Sequence, residues 1–164
     1  MGIDEDDFYE AIASFKGASK RLEKIVENKQ TVIFKDFAHS PSKVKATTEA
    51  VKKQYNQREV IACLELHTYS SLNAEFLQEY KGALRKADKA VVFYSPHAVQ
   101  IKQLEEVSKV QIANAFERDD LIVYTNPQDF KAFLFSQELE NKALLLMSSG
   151  NYGGLDFEEL KSLV

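Results

Sequence analysis

The sequence predicts an α/β fold of the Rossmann-like kind: a mostly parallel sheet with helices on both faces, preceded by an N-terminal helix and a β-hairpin. Three observations carry this. Short apolar runs alternate with amphipathic stretches about five times, the pattern of strand–helix–strand units joined by right-handed crossovers. The runs at 60–64, 90–94 and 143–147 are continuously apolar, as strands covered on both faces are. The length of 164 residues and an apolar content of 45% suit one compact domain with its own core.

The elements follow in order. Asp4 can cap a helix over 4–15, where Phe8, Ile12 and Phe15 recur at helical spacing, and Gly17 ends it. Residues 21–34 read as a hairpin, two β-rich runs around a turn at Asn28-Lys29. The strand at 31–34 leads to a helix over 42–55 with Val44, Thr48 and Val51 on one face. A strand at 60–64 precedes a helix over 74–84, striped by Phe76, Leu77, Tyr80 and Leu84. A strand at 90–94, a helix within 101–116, a strand at 121–124 and a helix over 128–138 come next. A strand at 143–147 and a helix over 157–164 close the chain, with no internal repeat.

Composition narrows the partners. The net charge of -4 is mild and the basic residues are scattered among acidic ones, so nucleic acid is not an expected partner. The longest apolar runs, such as 143–147, are too short to span a bilayer, so no membrane is expected. Asp4, Glu5, Asp6 and Asp7 stand where a signal peptide would be basic and then apolar. Cys63 is the single cysteine, so no internal disulfide can form, and a cytoplasmic, reducing location is expected.

Ligands of open parallel sheets bind at the carboxyl ends of the strands. Reading each strand to its end gives Asp36-Phe37-Ala38-His39-Ser40-Pro41, then Glu65-Leu66-His67-Thr68-Tyr69-Ser70-Ser71, Ser95-Pro96-His97, Thr125-Asn126-Pro127 and Ser148-Ser149-Gly150-Asn151-Tyr152-Gly153-Gly154. All three histidines thus fall on one sheet edge, while the opposite edge carries connectors such as 56–58 and 117–120. Each loop also has a plain structural reading. Ser42 and Asn73 suit helix caps, Pro41 and Pro127 suit first helical turns, Asp36 can cap its own turn, and His39 can bond a neighbouring carbonyl. Three histidines raise the idea of a metal, but no His-x-x-x-His pair or cysteine partner accompanies them, so none is expected. The glycine-rich loop at 148–154 suits anion binding by backbone N–H groups, yet it matches neither a Walker A loop nor the dinucleotide fingerprint. Cys63 sits inside a strand, a packing position rather than a nucleophile. A strand ending in Ser95-Pro96 argues against a phosphoacceptor receiver domain, which wants an aspartate cluster.

Several of these segments resemble the Mur ligases. Phe15-Lys16-Gly17-Ala18-Ser19-Lys20-Arg21-Leu22-Glu23 is similar to the segment entering the C-terminal domain of that family, and Asp36-Phe37-Ala38-His39-Ser40-Pro41 resembles its Asp-aromatic-Ala-His-x-Pro motif. The stretch 146–154 resembles the glycine-rich end loop of the murein peptide ligase branch. One loop departs: Glu65-Leu66-His67-Thr68 stands where that branch resembles Glu-Pro-Arg-Ser, and 67–70 is closer to the UDP-N-acetylmuramate–L-alanine branch but lacks its arginines. An arginine would be the natural clamp for a substrate carboxylate.

The resemblance implies a C-terminal domain over 18–164, with 1–17 as a linker helix from a central domain and Met1-Gly2 as an artificial boundary. It implies an ATP- and Mg2+-dependent ligase of peptidoglycan biosynthesis and recycling. That enzyme joins UDP-N-acetylmuramate to an amino acid or peptide, the recycled L-alanyl-γ-D-glutamyl-meso-diaminopimelate tripeptide first, through an acyl phosphate. Its partners would be the N-terminal and central domains of the same enzyme. By the same resemblance Asp36, His39 and Pro41 lie near the nucleotide; their placement after the first core strand, on a turn closed by Pro41, predicts that the Asp36 and His39 polar groups face the cleft. His67, Thr68, Tyr69 and Ser70 lie near the amine substrate. Ser148, Ser149, Gly150, Asn151, Gly153 and Gly154 line the cleft, and Arg21 lies between domains. The chain holds no Gly-Lys-Thr or Gly-Lys-Ser, so by itself it is expected to be inactive, with no cofactor of its own. The alternatives are the L-alanine ligase domain and a non-catalytic module of this fold that binds a nucleotide or peptide.

Overall fold

The computed structural model describes residues 22–164; the helix expected over 4–15 and Arg21 lie outside them. The hairpin is β1 (Glu23–Glu27) and β2 (Val32–Asp36), paired antiparallel with a bulge between Lys24 and Val26. Asn28 builds its turn: Oδ1 accepts the N–H groups of Gln30 and Thr31 at 2.8 and 2.7 Å, and its own N–H donates to the Thr31 carbonyl. There follow α1 (Pro41–Gln54), β3 (Glu59–Glu65), α2 (Ala74–Leu77), β4 (Lys89–Phe93), α3 (Pro96–Ile101), α4 (Lys109–Phe116), β5 (Ile122–Tyr124), α5 (Pro127–Phe135) and β6 (Lys142–Met147). A 3-10 helix, Phe157–Leu163, ends the chain.

The six strands lie in the order β1-β2-β6-β3-β4-β5, and every pair but the hairpin is parallel. Helices cover both faces, as the continuous apolar strands require. Val60, Ala62 and Leu64 of β3 face α1, α2 and α4, whose Val44, Val51, Leu77, Ile112 and Phe116 are buried with them. Ile61 and Cys63 face the other way, onto Phe130 and Leu134 of α5, Tyr152 and Leu160.

Two elements differ from expectation. The helix over 74–84 is one α turn followed by a 3-10 turn, Gln78–Tyr80. Lys81 is then extended (ψ 118°) and Gly82 takes φ +68°, a left-handed turn that a helix cannot continue through. Tyr80 and Leu84 are buried all the same. The helix expected within 101–116 is α4, which starts after α3 has ended and the chain has turned at Gln103 (φ +54°), and is opened by a capping box between Ser108 and Gln111. The closing helix is 3-10 rather than α. The strands also run further than their apolar cores, so Asp36 and Glu65 end β2 and β3 as paired residues instead of opening the loops.

Candidate functional site

β6 enters last in sequence and inserts between β2 and β3. Past their ends, β2 and β3 feed helices on one face, whereas β6 feeds the opposite face, where Tyr152, Leu155 and Leu160 pack. Connections that part to opposite faces open a crevice at the strand ends, the topological switch point of such sheets. A pocket lies there, lined by Lys35, Asp36, Phe37, Ser148, Ser149 and Gly150. The loops after β2 and β6 that the sequence singled out therefore meet.

Glu65 joins the loop after β6 to that after β3. It is 3% exposed, and its Oε2 accepts the Ser148 hydroxyl and the Tyr152 N–H, the latter at 2.9 Å. Its Oε1 lies 3.6 Å from His67 Nδ1, whose ring is half exposed. Gly150 is required by this packing, since a Cβ there would stand 2.8 Å from Glu65 Oε2 and about as close to the His67 ring. Tyr152 plugs the loop into the core. Its hydroxyl donates to the Cys63 and Met147 carbonyls at 2.9 and 2.8 Å, and its ring stacks on Phe130. Burial raises its phenol well above the ordinary range.

The glycine-rich loop thus differs from the open anion cradle its composition suggested. The N–H of Gly150 is spent on Ser148 Oγ, that of Tyr152 on Glu65 and that of Gly154 on Asn151. A buried carboxyl of the protein occupies the position an outside anion would take against the Tyr152 amide, and the loop's own Ser148 and Asn151 take up the other two.

Asp36 is 8% exposed and both its oxygens are engaged: Oδ1 accepts Ala38 N–H at 2.5 Å and Oδ2 accepts Leu22 N–H at 2.7 Å. It caps its own turn and ties down the segment entering β1, so its carboxyl turns to the backbone rather than outward. His39 Nδ1 sits 2.9 Å from the Phe37 carbonyl, and its ring meets the Phe37 ring edge to face at 5.1 Å. Tyr80 donates its hydroxyl to the His39 carbonyl from across the fold. Burial pushes that phenol up to about 12, so it remains a donor. Pro41 opens α1 at a first-turn position where no N–H is missed.

After β3, Thr68 Oγ1 accepts Ser71 N–H at 3.2 Å and lies 3.3 Å from Ser70 Oγ, a local turn that leaves Tyr69 62% exposed. His97 is exposed in the first turn of α3, and Asn126 caps α5 through the N–H groups of Gln128 and Asp129. Gly153, at φ +73°, packs where a Cβ would stand 2.6 Å from Pro127 Cγ, seating the end loop on α5. Among the described residues no group of three or more His, Cys, Asp or Glu side chains could hold a metal ion. Cys63 is fully buried and its thiol is pushed up by that burial, which suits packing and not nucleophilic attack. Among the described residues no helix is long and apolar enough to cross a membrane.

Sequence reasoning missed Lys35 as a pocket residue and the hydrogen-bonding roles of Glu65, Tyr80 and Tyr152. A charged residue closing an apolar run was the available signal for Glu65.

A six-stranded Rossmann-like sheet carrying an Asp-Phe-Ala-His-Ser-Pro turn and a glycine-rich loop at its switch point defines a class, and comparison with known proteins agrees. The model of the Mur ligase, glutamate ligase domain matches residues 20–150, so the chain belongs to that family. A UDP-N-acetylmuramate–L-alanine ligase of Gloeothece citriformis is 33% identical over 159 residues, covering 92% of this chain and 31% of its own length. The crystal structure of a murein peptide ligase from Psychrobacter arcticus superposes with a TM-score of 0.67 at 21% identity, over 99% of this chain and 32% of that one. A single domain from Haemophilus ducreyi, described as part of a UDP-N-acetylmuramate:L-alanyl-γ-D-glutamyl-meso-diaminopimelate ligase, superposes with a TM-score of 0.57 at 22% identity. That match covers 88% of this chain and all of the other. The chain spans between 20% and 35% of the length of the curated relatives it matches.

Proposed function

We propose that this chain is the C-terminal, substrate- and nucleotide-contacting domain of an ATP-dependent ligase. The enzyme joins UDP-N-acetylmuramate to an amino acid or peptide, the recycled tripeptide first, through an acyl phosphate. The convergence of two family-typed loops, 36–41 and 148–154, at the sheet's switch point carries this reading. In it, residues 1–17 link to the central domain, 18–164 form the ligase domain, and Arg21 lies at the interface between them.

ATP supplies the activation of the muramate carboxyl. The residues described here do not fit its phosphates or a Mg2+ ion: no acidic cluster is present among them, and the sequence has no P-loop lysine. Those functions belong to the central domain. What the chain offers a nucleotide is the turn at 36–41, where Phe37, 39% exposed, and the His39 ring form an aromatic corner suited to a flat base. Asp36 and Pro41 hold that corner in place. His67, Thr68, Tyr69 and Ser70 face the incoming amine, and the end loop closes the cleft beside them. Catalysis here is positioning: the loops hold the amine against the activated carboxyl and exclude water.

A second reading, the L-alanine ligase domain, is favoured by His67-Thr68-Tyr69-Ser70 and by the name of the Gloeothece relative. The two differ only in the amine.

Phosphate release separates this account from a binding module. The 164-residue chain is expected to release no phosphate from ATP. The whole polypeptide containing it is expected to do so only with UDP-N-acetylmuramate and either L-alanine or the tripeptide. Muramate-dependent release by the 164-residue chain itself, or none by the whole polypeptide with either amine, would contradict it.

A further inference from the structure

The 67–70 loop has no arginine with which to hold a substrate carboxylate, yet an unused cation stands at the strand end two positions across the sheet. Lys35 lies on the face of β2 opposite Phe34 and lines the pocket between the ends of β2 and β6. Among the described residues it has no carboxylate partner; its ammonium rests 4.4 Å from the centre of the Phe157 ring, which leaves its N–H donors unspent. Ser149 lines the same pocket, and its hydroxyl is buried with no hydrogen-bond partner. A buried hydroxyl without a partner is costly and marks a place where an outside group fits. The two acidic neighbours do not answer for either. Asp36 is engaged by Leu22 and Ala38 N–H groups, and Oε2 of Glu65 by Ser148 and Tyr152. The Lys35 ammonium and the Ser149 hydroxyl are therefore the donors lining the pocket that have no hydrogen-bond or ion-pair partner among the described residues, while the Asp36 carboxylate beside them is already held by two backbone N–H groups.

We propose that Lys35 and Ser149 form a carboxylate clamp, which binds the carboxylate of the incoming amino acid or peptide and replaces the arginine missing from 67–70. The assignment of the ligand rests on the ligase reading. The existence of the clamp does not, because it can be read on this chain without ATP or a muramate.

The test is an NMR titration of the 15N-labelled 164-residue chain with acetate and, separately, with inorganic phosphate, at constant ionic strength set by chloride. Acetate is expected to give saturable shifts at the Ser149 and Gly150 amides. Lys35→Gln is expected to weaken that binding about tenfold, the loss of one charge-assisted contact. Ser149→Ala should weaken it less, and Lys86→Gln, at an exposed position elsewhere, should leave it unchanged. The same spectra report whether each variant is folded. Absence of saturation, or acetate binding that Lys35→Gln leaves unchanged, overturns the clamp. Phosphate binding through Lys35 without acetate binding overturns the carboxylate assignment. If the clamp holds while the whole polypeptide ligates neither amine, the ligase reading fails and the site remains.

Discussion

Replacing Glu65 with leucine is expected to destabilise the chain by about 3 kcal/mol, although leucine is apolar and of similar size. The substitution leaves the buried Ser148 hydroxyl and Tyr152 N–H without their acceptor, and each such orphan costs about 1–3 kcal/mol. Tyr152 cannot swing out to find water, because its ring is stacked on Phe130 and its hydroxyl is tied to two strand carbonyls. Both bonds end on one oxygen, Oε2, so Glu65→Gln keeps a carbonyl oxygen that can accept the two of them and loses only their charge assistance; its cost should be well below that of leucine. Denaturant melts of the three proteins measure this; for a domain of this length 3 kcal/mol corresponds to roughly 10 °C in Tm. A leucine variant within about 0.5 kcal/mol of the parent, the range of an ordinary surface change, would show that Glu65 does not hold the end loop.

Asp36→Ala is expected to cost about 2 kcal/mol of stability, whatever it does to activity. Its two oxygens cap the turn at Ala38 and anchor Leu22, so two backbone N–H groups lose their acceptors together. The expectation from sequence placement alone was a residue facing the cleft, whose loss would be felt in rate far more than in stability. The observed bonds move Asp36 toward the structural side of that choice. His39→Ala supplies the contrast within the same turn. Its ring contacts are the neighbouring Phe37 carbonyl and ring, and the bond from Tyr80 goes to the backbone, which the alanine variant keeps. Its stability loss should stay under about 1 kcal/mol. Equal melting temperatures for the two variants would mean that the Asp36 bonds contribute nothing.

Much of the fold was legible because parallel strands buried on both faces leave continuous apolar runs, and Val44, Thr48 and Val51 at helical spacing mark a face that is indeed buried. The boundaries that failed are where backbone conformation overrides the stripe. Phe76, Leu77, Tyr80 and Leu84 are spaced for a helix, but Gly82 turns left-handed and breaks it. Strand order was not legible, since the insertion of β6 between β2 and β3 depends on pairings between residues far apart in sequence, Val32 with Ala143 and Glu59 with Lys142. That order creates the switch-point pocket, so Lys35, at the end of a short run, gave no sign of its neighbours Ser148 and Ser149. Composition likewise suggested that the glycine-rich loop was open to an anion. Only the structure shows its amides taken up by the Glu65 carboxyl and by the loop's own Ser148 and Asn151.

The central claim is that the carboxyl edge of this sheet is where the family's chemistry is served. It is tested most directly by measuring kcat/KM and melting temperature together on single variants of the whole ligase polypeptide. His39→Ala, His67→Ala and Lys35→Gln, on that edge, are expected to lose tenfold or more in kcat/KM, about 1.4 kcal/mol of transition-state stabilisation, with little change in melting temperature. Asn56→Ala and Asp119→Ala, on exposed connectors of the opposite edge, are expected to change neither. Near-normal efficiency in the first three, or losses only in proportion to unfolding, would contradict the account and leave these loops as structural turns.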